Sequence, residues 1–279
     1  MRGRVGRNPE EKRVIEMATK EQDRYLINSI LRASNILRCF LGEKTHYRIS
    51  ELARQLELDR STTYRLLLSL EKCGLVEKDE KTGEYSLGMA AFEIGNTYLR
   101  QMDFVLISKP VMVDLAAKLQ ETIHLAVLSG TEIVYVDKVD SPRTLGVMSK
   151  IGQRGSLHST ALGKVLLAFL PEAESSRMIK QIKLTPFTAN TISSRAKLMD
   201  ELKKVRRQGY AFDFRESEQG VECVAAPIRN HLGHVIAALS ISGPEKKINT
   251  PKESQFISEV VKAAAFVSAK LGHAEVKNS

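Results

Sequence analysis

The chain has 279 residues, of which 43% are hydrophobic and 27% charged, and its formal net charge is +9. This length suggests two domains, and the apolar content excludes a disordered chain. The three cysteines are too few and too widely spaced for a disulfide framework or a C-x-x-C metal site. The N-terminus has no hydrophobic core of a secretory signal, and the most apolar helical segment, 161–170, is too short to span a membrane. We therefore expect a cytoplasmic protein without a membrane partner.

The positive charge alone does not identify a nucleic-acid-binding surface. A third of the net positive charge lies in residues 1–88, and the larger share lies in 101–279. A nucleic-acid interpretation must therefore depend on where individual cations stand.

The first elements of the chain are a tail and two helices. Residues 1–24 have no apolar periodicity, and we expect a flexible tail there. From Ile27 to Phe40 apolar residues recur at three-to-four spacing, which predicts a helix that stops at Gly42. A second helix is expected after Ser50, which suits the N-cap position.

A third helix and a hairpin complete an N-terminal domain over 25–88. Segment 60–74 has helical periodicity and closes with a glycine. Its apolar stripe is predicted to consist of Tyr64, Leu67, Leu68 and Leu70. Two strand-like pieces, 75–78 and 84–87, flank a turn-rich stretch. Helix, helix–turn–helix and hairpin form the layout of a winged helix-turn-helix.

The polar start of the third helix predicts DNA binding. In a helix-turn-helix, the N-terminal end of the second helix meets base edges and phosphates, while the rest packs on the first helix. We expect contacts from the helix residues Arg60, Ser61, Thr62, Tyr64 and Arg65 and from the wing residues Lys78 and Lys81. The alternative is an ordinary charged surface helix, but the hairpin that follows favours DNA binding.

A linker helix over 89–104 and a second domain over 105–279 are expected next. Helical and strand periods alternate in this domain, which predicts an α+β fold with an antiparallel sheet. Helices are predicted over 105–120, 161–170, 172–181, 194–208 and 252–271. Strands are predicted over 123–128, 133–139, 144–149, 210–214, 221–229 and 234–242.

A candidate anion site lies where a Gly-bounded polar loop runs into helix 161–170, with Ser159 or Thr160 as N-cap. Such a junction presents unpaired amide groups and the positive end of a helix dipole, which suit a carboxylate. The alternative is an ordinary capped helix. Asp213 at the end of a strand, and the strands that carry Cys223 and Ser240, could face the same cavity.

The enzyme and metal alternatives have weaker support. Gly163-Lys164 lacks the spacing of a Walker A loop, and no G-x-S-x-G elbow is present. An enzyme that uses Cys223, or a hydroxyl of Ser159 or Thr160, on a small acid remains an alternative, although no local signature supports it. No metal site and no cofactor are predicted.

Several segments, in this order, resemble the IclR-type bacterial transcriptional regulators: RASNILRCF, ISELARQLELDRSTTYRLLLSLEKCGLVEKDEKTGEYSLG, LHSTALGKVLLAFL, GYAFDFRESEQGVECVAAPI and GHVIAALSISGP. The resemblance covers about 25–275. It implies an N-terminal winged helix-turn-helix, a linker helix and a C-terminal GAF-like effector-binding domain. It also implies a homodimer or a dimer of dimers, a double-stranded DNA operator with an inverted repeat, and a small organic acid as effector.

The family's effector contacts correspond to Thr160, Ala161, Leu162, Asp213, Cys223, Ser240 and Ser242, and Met148 is expected to add an apolar wall. The resemblance thus predicts an effector-responsive regulator of a catabolic operon, acting as a repressor or an activator. A DNA-binding protein with a non-sensing C-terminal domain is the further alternative.

Overall fold

The computed structural model divides the chain into two compact units, 1–95 and 96–279. It describes residues 26–42, 44–141, 149–244 and 253–274. The predicted tail, Met148 and nearly all of the predicted strand 144–149 lie outside the described residues.

Before the helix that crosses its end, the described part of the first unit, 26–42 and 44–88, contains three helices and a two-stranded antiparallel hairpin. The elements are α1 (Asn28–Cys39), α2 (Ile49–Gln55), α3 (Arg60–Lys72), β1 (Val76–Lys78) and β2 (Tyr85–Leu87). Its core includes Ile36 from α1, Leu52 from α2 and Leu67 from α3, all fully buried. Tyr47, before α2, extends the hairpin by exchanging backbone hydrogen bonds of 2.8 and 3.0 Å with Tyr85. This arrangement confirms the predicted winged helix-turn-helix.

The N-cap prediction for α2 is wrong. Arg48, not Ser50, precedes the helix, and its backbone amide donates a hydrogen bond of 2.8 Å to Oε2 of Glu51. Ser50 lies inside the first turn. Because the helix starts two residues earlier than the periodicity suggests, the acidic residue in that turn supplies the capping acceptor.

The predicted apolar stripe of α3 is wrong at two of its four positions. Leu67 and Leu70 are buried, but Tyr64 and Leu68 are 49% and 42% exposed. Thr63 takes the buried position one turn before Leu67 and satisfies its hydroxyl by donating to the Asp59 carbonyl at 3.0 Å. The core face therefore runs through 63, 67 and 70, since helical neighbours lie three and four residues apart.

Helix α4 (Met89–Arg100) crosses the boundary between the units, and α5 (Asp103–Leu119) begins three residues after it ends. The expected linker segment 89–104 therefore contains the whole of α4 and the first two residues of α5. None of the residues of α4 is buried within the chain.

The second unit is a six-stranded antiparallel sheet with strand order β5-β4-β3-β8-β7-β6. The strands are β3 (Thr122–Ser129), β4 (Glu132–Val139), β5 (Arg154–Ser156), β6 (Ala211–Phe214), β7 (Val221–Arg229) and β8 (Val235–Pro244). The remaining helices are α6 (Ala161–Ala168), α7 (Glu172–Gln181), α8 (Arg195–Gln208) and α9 (Glu253–Lys270). The predicted α+β class with an antiparallel sheet is confirmed. The short edge strand β5 was not predicted, because its Gly-containing segment looks like a loop.

Both faces of the sheet are buried, since helices cover each of them. α5 and α9 pack on one face around Leu125, Val224 and Val260. α6, α7 and α8 cover the opposite face, where small residues such as Ala225 and Ala238 let α6 approach closely. No helix among the described residues is long and apolar enough to cross a membrane.

Candidate functional site

The first candidate site is the exposed start of α3. Arg60, Tyr64 and Arg65 are exposed to solvent there. Asp59 caps the helix by accepting the Thr62 amide at 2.7 Å and the Ser61 hydroxyl at 2.6 Å. These two neighbours, Ser61 first, hold the pKa of the Asp59 carboxyl well below its usual range. The Ser61 proton is thus engaged within the protein, which leaves its oxygen as an acceptor.

The hairpin places Lys78 and Lys81 on the wing of the same unit. Lys81 is exposed, whereas Nζ of Lys78 lies 3.0 Å from Oε2 of Glu80, whose hydrogen bond raises the pKa of the lysine. A phosphate contact by Lys78 would have to compete with this exposed ion pair, which is weak in water. The DNA-contacting roles of the helix and wing residues remain predictions.

The second candidate site is a cavity of about 660 Å³ on the α6 side of the sheet, within the usual size range of ligand pockets. The predicted effector residues that the structure describes all lie in its wall: Thr160, Ala161, Leu162, Asp213, Cys223, Ser240 and Ser242. Their roles as ligand contacts remain predictions. Met148 lies outside the described residues.

Strand geometry explains why these side chains meet. Successive residues of a strand point to opposite faces, so alternate positions share one face. Cys223 lies opposite Asp213 of β6 on one side and Ser242 of β8 on the other, and Ser240 lies opposite His124 of β3. A row of small polar side chains therefore crosses the sheet beneath the start of α6.

The start of α6 is the junction at which the sequence predicts an anion site. Of the two expected caps, Thr160 is the one used: its Oγ1 accepts the Gly163 amide at 3.0 Å and donates to the Ser156 carbonyl at 2.7 Å. A Cβ on Gly163 would lie 2.6 Å from Cα of Leu157, so only glycine allows this close approach. The backbone amides of Ala161 and Leu162 precede the first helical hydrogen bond, and such amides at a helix start favour negative charge.

Asp213 is a buried carboxylate in the cavity wall. Its Oδ1 accepts the Glu216 amide at 2.7 Å, and Oδ2 accepts the Ser217 hydroxyl. Burial raises the pKa of Asp213, while the Ser217 hydrogen bond and the charge of Lys164 oppose that rise. The residue therefore both shapes the loop after β6 and presents a carboxyl group to the cavity.

Beside Asp213 lies an ion pair that the sequence analysis missed. Nζ of Lys164 is 2.5 Å from Oε1 of Glu216, and the two side chains are only 1% and 9% exposed. Burial raises the pKa of Glu216, against the opposing charge of Lys164. The signal in the sequence is Lys164 itself, a lysine within the otherwise apolar segment 161–170.

Two histidines in the cavity wall were also missed, although His124 stands out as a polar residue within an apolar strand. Burial lowers the pKa of His124 to about 3, and it also lowers the pKa of His158. Ring nitrogens of His124 lie 3.1 Å from Oγ of Ser242 and 2.6 Å from Oγ of Ser149. Both histidines are therefore neutral hydrogen-bonding groups near pH 7.

The chemistry of the wall favours binding over catalysis. Burial raises the pKa of the Cys223 thiol, so the nucleophilic thiolate is disfavoured. Among the described residues no group of histidine, cysteine, aspartate or glutamate side chains is arranged to hold a metal ion. The buried hydroxyl oxygens of Ser159 and Ser240 have no hydrogen-bond partner in the described part of the chain. Such hydroxyl groups favour a bound molecule that supplies a hydrogen-bond partner.

Comparison with known proteins gives consistent matches along the chain. Residues 29–80 match the IclR helix-turn-helix domain, and 96–269 match the C-terminal domain of bacterial transcriptional regulator IclR. The chain is 36% identical to the transcriptional regulator XynR of Escherichia coli, over 89% of this chain and 98% of that one. It is also 36% identical to KdgR of Dickeya chrysanthemi, over 88% and 81%. The crystal structure of Thermotoga maritima IclR matches with a TM-score of 0.71 and 34% identity, over 88% and 99%.

Proposed function

The chain belongs to the IclR family and is a DNA-binding transcriptional regulator rather than an enzyme, and we propose that its second unit senses a small organic acid. The observation that carries this proposal is the single cavity that collects seven predicted contact residues at the start of α6. A domain that kept the fold without sensing would not need buried, unpartnered hydroxyl groups there.

The acid is proposed to bind with its carboxylate at the first amides of α6, beside Thr160 and Ala161. Ser240, Ser242 and Cys223 supply neutral hydrogen-bonding groups on the sheet side, and Leu162 supplies apolar contact. A negative charge is favoured at this helix end because the dipole and the unpaired amides act together. The effector-binding domain is proposed to span 105–279.

We propose that the winged helix-turn-helix over 25–88 binds the DNA. Arg60, Tyr64 and Arg65 of α3 would enter the major groove, and Lys81 of the wing would reach a phosphate or the minor groove. We propose that the protein acts in the cytoplasm as a homodimer or dimer of dimers on an inverted repeat. The half-site centres would then lie about one helical turn, or a multiple of it, apart.

The proposed regulatory mechanism is a shift between arrangements of subunits. An acid that binds one arrangement more tightly favours it by the ratio of its two affinities, and DNA binding changes accordingly. Control of a catabolic operon would follow if the acid is a nutrient or its breakdown product.

The experiment is a thermal-shift panel with the full chain, in which small carboxylic acids are compared with their neutral amides. At 100 times its Kd a ligand stabilises the folded protein by about 2.7 kcal/mol. At least one acid should raise the melting temperature while its amide does not. If no acid stabilises the protein, the non-sensing alternative is favoured. If a stabilising acid is chemically turned over, the regulator is also an enzyme and the proposal is wrong.

A further inference from the structure

The two histidines of the cavity differ in how their protons are held. His124 lies on β3 and His158 lies just before α6, and their exposed fractions are 2% and 1%. A neutral imidazole has one N–H donor and one lone pair, and the partners of its two nitrogens decide which nitrogen carries the proton.

His158 is locked in one tautomer. Its Nε2 lies 3.1 Å from the carbonyl oxygen of Thr185, which can only accept a hydrogen bond. Nε2 must therefore carry the proton, and Nδ1 accepts the hydroxyl proton of Ser156 at 2.6 Å. The ring also stacks on Phe187, with 6.0 Å between the ring centroids.

His124 has no such lock, because both of its partners are hydroxyl groups. Nδ1 lies 3.1 Å from Oγ of Ser242, and Nε2 lies 2.6 Å from Oγ of Ser149. A hydroxyl group can donate or accept. With the proton on Nδ1, Ser242 accepts from the ring, and its own proton is available to the cavity or to the thiol of Cys223, its hydrogen-bonding neighbour in that wall. With the proton on Nε2, Ser242 must donate to the ring, and Ser149 keeps its proton available.

The charged neighbours do not remove this freedom. The charge of Lys138 on β4 acts on His124; its Nζ lies 2.7 Å from Asp140 and donates to the backbone oxygen of Ser149 at 2.9 Å. Both ring nitrogens of His124 are engaged by hydroxyl groups. Tyr135, also on β4, places its ring 5.3 Å from the imidazole, and Cys223 lies opposite Ser242 on β7.

We propose that His124 is a positioning residue of the ligand site, whose tautomer determines whether Ser242 or Ser149 offers a hydroxyl proton to the occupant of the cavity. The proposal rests on the ligand function proposed above. An occupant with an acceptor at Ser242, such as a carboxylate or carbonyl oxygen, selects the Nδ1-protonated form. An occupant with a hydroxyl or amide donor there selects the Nε2-protonated form. Ser242, His124 and Ser149 thus act as one hydrogen-bonded unit along the wall.

The decisive experiment observes the imidazole nitrogens by NMR in the full chain labelled with ¹⁵N-histidine. The six histidines give few signals, and His124→Asn and His158→Asn assign the two of interest. Near pH 7 the Ser242→Ala variant should place the His124 proton on Nε2, and Ser149→Ala should place it on Nδ1. A buried N–H without an acceptor is the less tolerated outcome in each case. His158 should keep its Nε2 proton throughout and is the internal control.

Two results would overturn the proposal: the same His124 tautomer in both serine variants, or a doubly protonated ring at pH 7. In the wild-type protein, acetate at a concentration that stabilises the fold should leave His124 in the Nδ1-protonated form, and chloride at the same ionic strength should not change the tautomer of the free protein. An Nε2-protonated His124 in acetate-stabilised protein would also overturn it. If acetate gives no stabilisation, this argues against the proposed acid site, while the serine variants still decide the role of His124.

Discussion

Replacing Lys164 by methionine should strongly destabilise the second unit. Lys164 is 1% exposed, and its ammonium group is the close partner of the buried Glu216 carboxylate. The variant keeps an unbranched side chain only one atom shorter than lysine, but it leaves a buried carboxylate without its counter-ion. Breaking a buried ion pair from one side costs about 3–5 kcal/mol. In a domain of this size that loss lowers the melting temperature by roughly 6–20 °C.

Urea and thermal unfolding of the full-length protein, followed by circular dichroism, measure this loss. Lys203→Met is the matched control, because Lys203 pairs with Asp200 on the surface of α8, where both side chains are about 70% exposed. The control should lose less than about 1 kcal/mol. The double variant Lys164→Met with Glu216→Leu should regain most of the loss, because it removes the unpaired charge.

The pH dependence of the Lys164→Met variant supplies a second check. Without the ammonium group, burial raises the pKa of Glu216 further above that of the unfolded chain. The unfolded state then loses its proton first as pH rises, so the penalty should be larger at pH 8 than at pH 5. A loss below 1 kcal/mol at pH 8, or a penalty that grows on acidification, would refute the buried-pair argument.

Four further predictions follow from the described geometry. Arg65→Ala should weaken specific operator binding by roughly 1–3 kcal/mol in fluorescence anisotropy, and unchanged affinity and sequence preference would remove Arg65 from the reading surface. Glu57 has a left-handed backbone with φ 53°, so Glu57→Gly should stabilise the first unit by about 1 kcal/mol in urea unfolding. A loss of stability in this variant would contradict the prediction. Thr160→Ala should cost about 1 kcal/mol through the lost cap, and no change would show that Thr160 Oγ1 does not cap α6. Burial lowers the pKa of His124 from 6.5 to about 3, so on acidification the unfolded state takes up the proton first. The free energy of unfolding should therefore fall below pH 6.5, by up to about 1.4 kcal/mol per pH unit. His124→Asn should flatten this dependence of the unfolding free energy on pH.

The sequence predicts elements best where periodicity and boundary residues agree. The ranges of β7 and α7 match the predicted 221–229 and 172–181, since an apolar strand run and the helix-starting Pro171 mark them. Segment 154–156 forms a strand only because β4 lies beside it, and its own residues carry no strand signal. Local patterns therefore predict elements, but they do not predict pairing at a sheet edge.

Side-chain partners were harder to predict than elements. The polar wall residues could be anticipated through the family resemblance and the loop-to-helix junction at Thr160. The pairing of Lys164 with Glu216 joins residues 52 positions apart, and that of His124 with Ser242 joins residues 118 apart. No local spacing encodes such contacts. A polar residue within an apolar run, as at Lys164 and His124, is the sequence signal that indicates such a buried contact.

An acid bound in the cavity should change the affinity of the protein for its operator DNA. The most direct measurement is fluorescence anisotropy of operator DNA, selected in vitro with the full chain, titrated with and without an acid that stabilises the protein. Wild-type operator affinity should change about 5- to 150-fold with the acid. Cys223→Met, which fills part of the cavity, should bind the same DNA equally well without responding. Equal wild-type affinity with and without an acid that calorimetry shows to be bound would contradict the account.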